Sequence, residues 1–469
     1  MHLATTQLIG LDFGSTTSSA VVASAALVRN VLTGRSETGP LCETFRSELV
    51  ETPTHDDALD LPRLQRLLDG WLDAGNVRPD ELLCGGALLT GLAAQRHNAP
   101  LLIDLIGSRL RGALIAVADD PRLESWLAFM GACSRLSREH PETPILNLDI
   151  GGGTTNLALG LNGQVRQTGA VFVGARHVQV APGSYRIVRL SRYARAIFDQ
   201  LGIAAGPGEE LSPSAVVAIV EFYGSILMAA VAGHDGENAA ARLHQQAAFH
   251  APESAKFVVT ASGGVGELVY QAVSGGPRPA TTCFGDLGVD LADWLVGRSP
   301  WRDDFQKYRP AERGRATVYG LLRHSTQVSG STIFLPRPEI LPLGQLPILG
   351  SISGATTTAE LAGMISLAAH APRGSCLHAV IAGQDLREIR ELGGRLAGIF
   401  RDVGFPPQVP LVILLSHNLG KVLGQYATEW GTLPMNLVVI DEIDIRDAQF
   451  AHLGAVRHQV APLTFYGMH

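Results

Sequence analysis

Short apolar segments that end in polar, glycine-containing turns recur along the chain and predict buried strands at two distant places. One apolar run begins at Leu8 and ends at Asp12, and a later one ends at Asp149. Each is followed by a turn rich in Gly and Thr and then by another apolar strand, Ser19–Ala23 in the first case and Leu157–Leu159 in the second. Both patterns predict β-hairpins.

Longer apolar patterns predict helices in the middle of the chain. Residues Ala215–Gly233 are apolar except for Glu221, while Ser212 and Pro213 suit the N-cap and first position of a helix. The length nearly allows a membrane crossing, but an acidic residue near the centre of a span costs roughly 2.5–3.5 kcal/mol. We therefore predict a buried helix and no membrane association, with a shorter helix at Asp286–Val296.

The pattern near the C-terminus predicts a small parallel sheet. A proline-rich stretch, Leu335–Leu349, is typical of a boundary between domains. Beyond it, apolar runs that suit buried strands alternate with helical patterns. The predicted strands are His378–Ile381, Pro410–Leu415 and Leu437–Ile440, and the predicted helices are Leu386–Phe400 and Asn418–Trp430. This region could face a partner or complete the fold, and the sequence favours neither.

Length and composition narrow the class of protein. A chain of 469 residues is too long for one ordinary domain, and we expect three parts: residues 1–143, 144–334 and 335–469. The net charge of −7 argues against a general affinity for nucleic acid. Five cysteines lie far apart without a CxxC pair, which argues against a disulfide framework or a zinc site and fits a reducing cytoplasm. No signal peptide is predicted.

The two hairpins carry the chemistry. They align on Asp12 and Asp149, and their Thr pairs align after a single inserted glycine, so we expect two half-domains of common design facing each other. Glycine lets the backbone approach a ligand closely, and successive N–H groups in such turns form nests for phosphate oxygens. A carboxylate at each strand end can hold a hydrated Mg²⁺ beside the phosphates. Opposed hairpins would clamp a nucleoside di- or triphosphate without a GxxxxGK[ST] lysine, which the chain lacks.

Specific contacts are expected from this arrangement. Asp12 and Asp149 are the candidate metal-binding and catalytic residues, holding Mg²⁺ through water. A third Gly-rich turn, Ser262–Gly266, follows an apolar strand and would lie against an adenosine through Ser262, Gly263 and Gly264. The expected phosphate contacts are Gly14, Ser15, Thr16 and Thr17 in the first hairpin and Gly151, Gly152, Gly153, Thr154, Thr155 and Asn156 in the second.

At these residues the sequence resembles the actin-like ATPases, whose fold places two ribonuclease-H-like half-domains around a nucleotide cleft. Within that superfamily it is similar to the reactivating factors of ethanolamine ammonia-lyase, from about residue 7 to the C-terminus. The motifs that carry this likeness are Leu146–Asn156, Arg315–Val318 with Ser329–Ile333, and Gly420–Gln425.

The resemblance implies an α/β protein of the actin-like ATPase fold with an additional C-terminal α/β region. It also implies that the protein binds ATP and Mg²⁺ and acts on a cobalamin-dependent lyase, promoting exchange of damaged cobalamin for intact adenosylcobalamin. Such a factor is a chaperone with Mg-dependent ATPase activity, expected in the cytoplasm. Association with a bacterial microcompartment and the oligomeric state are left open by the sequence.

Two segments depart from the family pattern. Leu92 stands where the family commonly has an acidic residue after Thr90 and Gly91, and Gly320–His324 replaces a Gly-Ala-Gly run. If that carboxylate organises the metal or the attacking water, hydrolysis here is slow or arranged differently. Two alternatives on the same fold stay open, a small-molecule kinase and an ATP-binding scaffold protein.

The remaining polar clusters are interpreted as structural. The 15 histidines show no HExxH-type spacing, and we interpret His324 and His417 as surface or packing residues. The acidic cluster Asp441–Asp444 is interpreted as a solvated strand end in preference to a cation site. No Asp-x-His-x-x-Gly run occurs, so contact with cobalamin is expected to belong to the client enzyme.

Overall fold

A computed structural model describes most of the chain and shows three successive sheets with helices packed against them. The described residues are 2–14, 17–29, 36–55, 58–79, 81–89, 91–110, 115–118, 121–234, 239–250, 256–330, 332–381, 383, 385–446, 448–456 and 460–468.

The first sheet forms the N-terminal half-domain. Its strands and a small separate hairpin are β1 (His2–Phe13), β2 (Thr17–Arg29), β3 (Ser36–Thr38), β4 (Cys42–Arg46), β5 (Val50–Glu51), β6 (Thr54–His55), β7 (Ala58–Leu59), β8 (Leu82–Leu89) and β9 (Ile115–Ala118). The helices are α1 (Leu61–Ala74), α2 (Gly91–Ala94) and α3 (Ala99–Arg109). The strand order is β3-β2-β1-β8-β9, with β4 and β5 also paired to β2. Alternate residues of β1, Ile9 and Leu11, are buried in one core with Leu64 of α1 and Leu102 of α3.

The second sheet forms the next half-domain. Helices α4 (Pro121–Ala132) and α5 (Ser134–Glu139) lead into it. The strands are β10 (Ile145–Ile150), β11 (Thr155–Leu161), β12 (Gln164–Val171), β13 (Val178–Val180), β14 (Ile187–Leu190), β15 (Gln245–Ala247) and β16 (Val258–Ser262). The helices are α6 (Arg192–Leu201), α7 (Pro213–Val231), α8 (Ala239–Leu243), α9 (Gly263–Val273), α10 (Gly288–Gly297) and α11 (Arg302–Lys307). The sheet order is β15-β12-β11-β10-β16, and β13 pairs with β14 separately.

The two half-domains share one design, as the repeated hairpin predicted. In each, an antiparallel hairpin (β1-β2 or β10-β11) lies beside a parallel strand (β8 or β16). A further antiparallel strand, β4 or β12, pairs with the second strand of the hairpin. The two Asp-bearing strands therefore occupy equivalent places in equivalent sheets.

Helix α7 is the long apolar helix that the sequence predicted. Ser212 is its N-cap and accepts a hydrogen bond from the N–H of Ala215 at 3.2 Å. By length and composition it is the one helix among the described residues that could cross a membrane. One face of it, including Ile219 and Tyr223, is buried in the core of the second half-domain, which confirms the predicted buried helix.

Two crossing helices join the half-domains. Helix α12 (Ala316–Gly320) follows a 3₁₀ turn at Arg313–Arg315, precedes a π-turn at Leu321–Ser325 and crosses α4. The backbones approach so closely that a Cβ on Gly131 would overlap the carbonyl oxygen of Ala316. On the first sheet, a Cβ on Gly10 would lie 2.9 Å from Cγ1 of Val318. Helix α12 thus leaves the second half-domain and packs on the first.

The third sheet is larger than predicted and begins earlier in the chain. Its strands are β17 (Thr326–Val328), β18 (Leu343–Ile352), β19 (Ser375–Ala379), β20 (Pro410–Leu415), β21 (Asn436–Ile440), β22 (Ala448–Leu453) and β23 (Pro462–Met468). The helices are α13 (Thr358–Ala369), α14 (Leu386–Val403) and α15 (Gly420–Ala427), with a 3₁₀ turn at Pro338–Ile340. Strands β18-β19-β20-β21 are parallel, as expected for β19 to β21, whereas β22, β23 and β17 extend the sheet in antiparallel pairs. Because β17 starts at Thr326 and β18 starts at Leu343, the proline-rich stretch lies inside this unit.

Candidate functional site

The two hairpins have turns of equal length, closed by the same hydrogen bond. Asp12 pairs with Ser19 in the first hairpin, and Asp149 pairs with Asn156 in the second. The N–H of Gly14 donates to the Thr17 carbonyl at 3.0 Å, and the corresponding bond from Gly151 to Thr154 measures 2.9 Å. The predicted alignment with one inserted glycine is therefore wrong. The strand register and the closing bond fix the equivalence of the turns, and the Thr pairs do not.

Three carbonyl groups of the second turn, those of Gly151, Gly152 and Gly153, bond to one neighbouring segment. The N–H groups of Ala175 and Arg176 donate to the carbonyls of Gly151 and Gly152 at 3.1 and 2.7 Å. The backbone comes this close because residue 174 is glycine, whose Cβ would lie 2.5 Å from the carbonyl carbon of Gly152. In a trans peptide the N–H points opposite to the carbonyl. The N–H groups of residues 152–154 are therefore directed away from that segment, as a phosphate nest requires.

His177 holds the third carbonyl of this turn. Its Nε2 lies 2.8 Å from the Gly153 oxygen, and its Nδ1 lies 2.9 Å from Oγ of Ser191. Burial, with a contribution from His244, lowers the pKa of His177 to about 3, so the ring is neutral at physiological pH. We assign the proton to Nε2, which donates to Gly153, while Nδ1 accepts from Ser191. No sequence pattern pointed to residues 174–177, because their role exists only in the folded chain.

Asp12 and Asp149 lie close enough for their charges to interact. Burial first, and the charge of Asp149 second, raise the pKa of Asp12 from 3.8 to about 7. Burial also raises the pKa of Asp149 to about 6, opposed by a hydrogen bond from Ser262. Two carboxyl groups whose charges interact in a buried place resist ionising together.

A buried polar network orients Asp149. Oγ of Ser262 donates to Oδ1 of Asp149 at 2.5 Å, and Nδ2 of Asn147 donates to Ser262 Oγ at 2.8 Å. Ser262 is fully buried. Its side chain therefore positions the carboxylate. The sequence had suggested a contact with an adenosine, but the hydroxyl group is directed toward Asp149.

Residues of the segment Arg315–Val318 surround Asp12. Oγ1 of Thr317 donates to Oδ2 of Asp12 at 3.4 Å. Arg315 donates from Nη2 to the Ser47 carbonyl at 2.5 Å, and its charge lowers the pKa of Asp12. In the sequence, the motif Arg315–Val318 contributes to the family resemblance but indicates no role for its residues. The structure places it at the candidate metal site.

The residues present fit a magnesium ion held through water. Oδ1 of Asp12 is buried without a hydrogen-bond partner among the described residues. A divalent cation would satisfy that oxygen and relieve the repulsion between Asp12 and Asp149. Mg²⁺ commonly binds through one or two carboxylates and keeps several waters. In the described part of the chain no group of three or more His, Cys, Asp or Glu side chains could hold a metal, so a fully protein-ligated ion is not the geometry seen here.

The third Gly-rich turn opens helix α9 next to Asp149. Gly263 has φ +79°, and a Cβ there would lie 2.5 Å from the carbonyl oxygen of Ile150. A Cβ on Gly264 would have no heavy atom within 4 Å, so the backbone there borders open space. This is the arrangement expected of a turn on which a flat group can lie.

The other predicted contact residues divide into two groups. Thr155 and Asn156 are directed into the interior, where Thr155 Oγ1 donates to the Val173 carbonyl and Asn156 lies beside Ser125. These two side chains are therefore not available to a phosphate, because β11 has already begun at Thr155. Ser15 and Thr16, for which phosphate contacts were also expected, lie outside the described residues, as do Thr90 and the side chain of Leu92.

The half-domains also touch in front of the turns. Arg176 donates to Glu51 of the first half-domain at 2.9 Å and pairs with Asp286 at 3.4 Å. In the first half-domain, Thr52 Oγ1 donates to the Gly14 carbonyl at 2.8 Å. Glu51 is therefore linked to the second turn through Arg176, and Thr52 contacts the first turn directly.

Two of the three acidic residues in the cluster of the third sheet are buried, contrary to the prediction of a solvated strand end, whereas Asp444 is exposed. Asp441 is fully buried and Glu442 is 8% exposed. Asp441 accepts hydrogen bonds from Thr332 and from the N–H of Gly420. The segments Ser329–Ile333 and Gly420–Gln425, noted in the sequence as separate motifs, thus meet at this carboxylate. Together they hold Oδ2 of this buried carboxyl group at the end of β21.

Two half-domains of common design, joined by crossing helices and with matched Asp-containing hairpins facing each other, define the actin-like ATPase fold. The chain belongs to the family described as ethanolamine utilisation protein EutA, whose model matches residues 5–465.

Curated relatives match over nearly the whole chain. The ethanolamine ammonia-lyase reactivase EutA of Escherichia coli (strain K12) is 27% identical over 453 residues, which cover 95% of this chain and 94% of the relative. The protein of the same name from Salmonella typhimurium (strain LT2) is 26% identical over 457 residues, with the same two coverages.

Solved structures are more distant. The Aquifex aeolicus PPX-GPPA enzyme is 12% identical, covers 68% of this chain and 99% of its own, and has a TM-score of 0.38. MreB5 of Spiroplasma citri bound to ADP is 15% identical, covers 64% of this chain and 98% of its own, and has a TM-score of 0.29. These likenesses carry no argument about function.

Proposed function

We propose that this protein is an ATP- and Mg²⁺-dependent reactivating factor for adenosylcobalamin-dependent ethanolamine ammonia-lyase. It would promote exchange of damaged cobalamin for intact adenosylcobalamin and would act in the cytoplasm. The main support is the convergence of two matched hairpins, with Asp12 and Asp149 close enough to interact, in a chain of the EutA family. The relatives named as reactivases cover 95% of the chain.

The residues of the site have separate tasks in this proposal. The N–H groups of residues 152–154 and the matching turn at Gly14–Thr17 would bind the phosphates. Asp12 and Asp149 would hold the water shell of Mg²⁺, with Thr317 and Ser262 fixing their orientation. When bound, the metal would neutralise charge on the phosphates and on the two carboxylates.

Nucleotide would act by drawing the half-domains together. Each half-domain supplies one hairpin and one carboxylate, so the complete site exists only when both face each other. The α4–α12 crossing, where Gly131 and Gly320 let the two backbones approach closely, connects the halves and would be the place where they shift relative to each other. A ligand moves such an equilibrium only by its differential affinity for the two arrangements, typically about 1–3 kcal/mol of coupling. The surface offered to the lyase would change accordingly.

Recovery of lyase activity tests this proposal. Inactivated ethanolamine ammonia-lyase is incubated with this protein, free adenosylcobalamin, Mg²⁺ and ATP, and its activity is followed with time. We expect recovery that requires both the protein and the nucleotide. The double variant Asp12→Ala/Asp149→Ala should neither bind Mg-ATP nor restore activity, whereas the exposed pair Asp199→Ala/Asp402→Ala should do both.

Two other outcomes would overturn the proposal. Transfer of phosphate from ATP to a metabolite, without lyase recovery, would identify a kinase. A rise in light scattering on addition of ATP, again without recovery, would identify a scaffold protein. Unchanged Mg-ATP binding by the double variant would refute the site itself.

A further inference from the structure

A cleft lined by arginines lies between the two half-domains, directly beside the second phosphate turn. Its volume is about 580 Å³, within the range of about 300–1,000 Å³ typical of small-molecule sites. Gly152 of the turn forms part of its wall. The arginines that line it are Arg96, Arg176, Arg189, Arg192 and Arg195.

The charge of this cleft is strongly one-sided. His97 lines it with the five arginines, and Glu51 is the one acidic residue among the described lining residues. Glu51 is paired with Arg176, and its side chain is 76% exposed. An exposed carboxylate can be displaced by a stronger anion, which would take over the same guanidinium.

Helix α6 adds to the positive field. Its N-cap, Ser191, lines the cleft, and Arg192 and Arg195 stand in or next to its first turn, which has no acidic residue. The N-terminal end of a helix carries a partial positive charge that favours anions and disfavours cations. Placing two arginines there raises the free energy of the empty site, and a bound anion relieves it. Arg192 is held in place by Tyr193, whose hydroxyl accepts from Nη2 at 2.6 Å.

The cleft lies on the opposite side of the phosphate turn from the adenosine turn. In the second sheet β16, which leads into Gly263 and Gly264, borders β10 on one side, whereas β11 and β12 lie on the other. Arg176 follows β12, and Arg189 lies in β14. Ligand in this cleft would therefore approach the phosphate site from the end away from the nucleoside.

We infer that this cleft binds an oligophosphate group, a short chain of phosphoryl units extending away from the Mg-phosphate site. Guanidinium groups bind phosphate oxygens in bidentate pairs, and several of them around one small cavity suit a multiply charged chain. The phosphoryl units belong either to the terminal end of a bound nucleoside triphosphate or to a free inorganic oligophosphate. It would also bridge the half-domains, because Arg96 belongs to the first and the other four arginines to the second.

The phosphate turn and the cleft are physically connected. The chain of hydrogen bonds from the Gly153 carbonyl through His177 to Ser191 ends at the first turn of α6. A ligand in the cleft that shifts Ser191 would therefore also shift the turn at Gly153. The inference rests on the proposed function for the positions of the nucleoside and of the Mg-phosphate group, and not for the arginines that line the cleft.

Calorimetric titration of tripolyphosphate in excess Mg²⁺ tests the inference, using the full chain saturated with Mg-ADP. We expect binding that weakens at least tenfold in Arg192→Gln/Arg195→Gln. The matched control Arg135→Gln/Arg387→Gln removes the same charge from exposed positions elsewhere and should change affinity less than twofold. Affinity for Mg-ADP should stay within twofold in both variants.

A second arm identifies the source of the phosphates. If a non-hydrolysable ATP analogue blocks tripolyphosphate and ADP does not, the cleft receives the terminal phosphate of the nucleotide. If neither blocks it, the ligand is a free oligophosphate, and both results support the inference. Three results would overturn the inference. They are no binding of tripolyphosphate, an equal loss of tripolyphosphate affinity in the control variant, and binding of citrate as tight as that of tripolyphosphate. Failure of Mg-ADP to bind would instead refute the nucleotide site, and titration of the nucleotide-free protein would still test the arginines.

Discussion

Replacing Asp12 by asparagine should remove a pH-dependent loss of stability from the metal-free protein. Burial and the charge of Asp149 raise the pKa of Asp12 from 3.8 to about 7. Between these values the folded protein keeps a proton that the unfolded chain has released. Since the folded state then binds more protons than the unfolded state, the free energy of unfolding falls as the pH rises through this interval.

The structure sets the size of this effect. Between pH 5 and the folded pKa of Asp12 lie about two pH units, and each corresponds to about 1.4 kcal/mol. The wild-type protein should therefore lose about 3 kcal/mol of unfolding free energy between pH 5 and pH 8 through Asp12 alone. Asparagine cannot ionise, but its amide would be incompletely bonded in this buried place, at a cost of about 1–3 kcal/mol at every pH. The variant should be less stable than wild type at pH 5 and equally or more stable at pH 8.

Urea unfolding in EDTA at pH 5, 6, 7 and 8, followed by circular dichroism, measures this difference. The variant Asp402→Asn, changed at an exposed position, serves as control and should follow the wild type. Addition of Mg-ADP at pH 8 should stabilise the wild type, by about 2.7 kcal/mol at a hundred times the dissociation constant, and should not stabilise Asp12→Asn. Parallel pH profiles for wild type and Asp12→Asn would refute the assignment of the two carboxylates to one buried pair.

Two glycine positions offer further tests. Gly320→Ala should lower the free energy of unfolding by about 1–3 kcal/mol, because the added Cβ would overlap the Leu127 carbonyl oxygen in the α4–α12 crossing. Urea unfolding measures this loss. The control is Gly107→Ala, whose added Cβ would have no heavy atom within 4 Å. Gly330→Ala should loosen the end of β21, since its Cβ would lie 2.5 Å from Oδ1 of Asp441. Faster hydrogen exchange there with unchanged Mg-ADP affinity is the expected result, and a loss of nucleotide binding would contradict the structural role of that carboxylate.

The sequence predicted those parts of the molecule whose signals are local. Apolar runs that end in Asp and glycine predicted both hairpins, and the pairing of Asp12 and Asp149 followed from their duplication. The amphipathic pattern of α14 predicted a helix because Ile389, Leu392 and Leu396 recur at helical spacing and are buried together. In each case a residue's neighbours in the chain determine its environment.

Parts that depend on distant contacts were missed or misread. Gly174 and His177 hold the turn of the second hairpin from a separate segment, so no pattern around them indicates that role. Asp441 looked like a solvated residue because it lies among other acids, yet Thr332 and Gly420 cover it from elsewhere in the chain. The alignment of the two turns on their Thr pairs is wrong because the register of the paired strands determines which residues are equivalent.

The segment that departs from the family pattern shows how such distant contacts compensate each other. Leu321 follows the crossing glycine of α12 and packs with Leu88 and Leu127 between the half-domains. Strand β8 accepts this bulk because residue 86 is glycine, and a Cβ there would overlap the Leu321 side chain. The Leu321 side chain therefore fills the space between β8 and α4, and the two half-domains pack closely against α12.

A close-packed α4–α12 crossing makes the unliganded carboxylate pair important for the equilibrium between the half-domains. The charges of Asp12 and Asp149 interact, so the two carboxyl groups resist ionising together, and under the proposed mechanism this would oppose closure above pH 7. A metal–phosphate group would remove that repulsion and add contacts to both turns, so it would bind the closed arrangement better than an open one. This difference in affinity is what a nucleotide needs in order to change the surface shown to a partner. Without the repulsion, the close-packed α4–α12 crossing would favour the closed arrangement with or without ligand. Nucleotide binding would then shift the equilibrium between the half-domains very little.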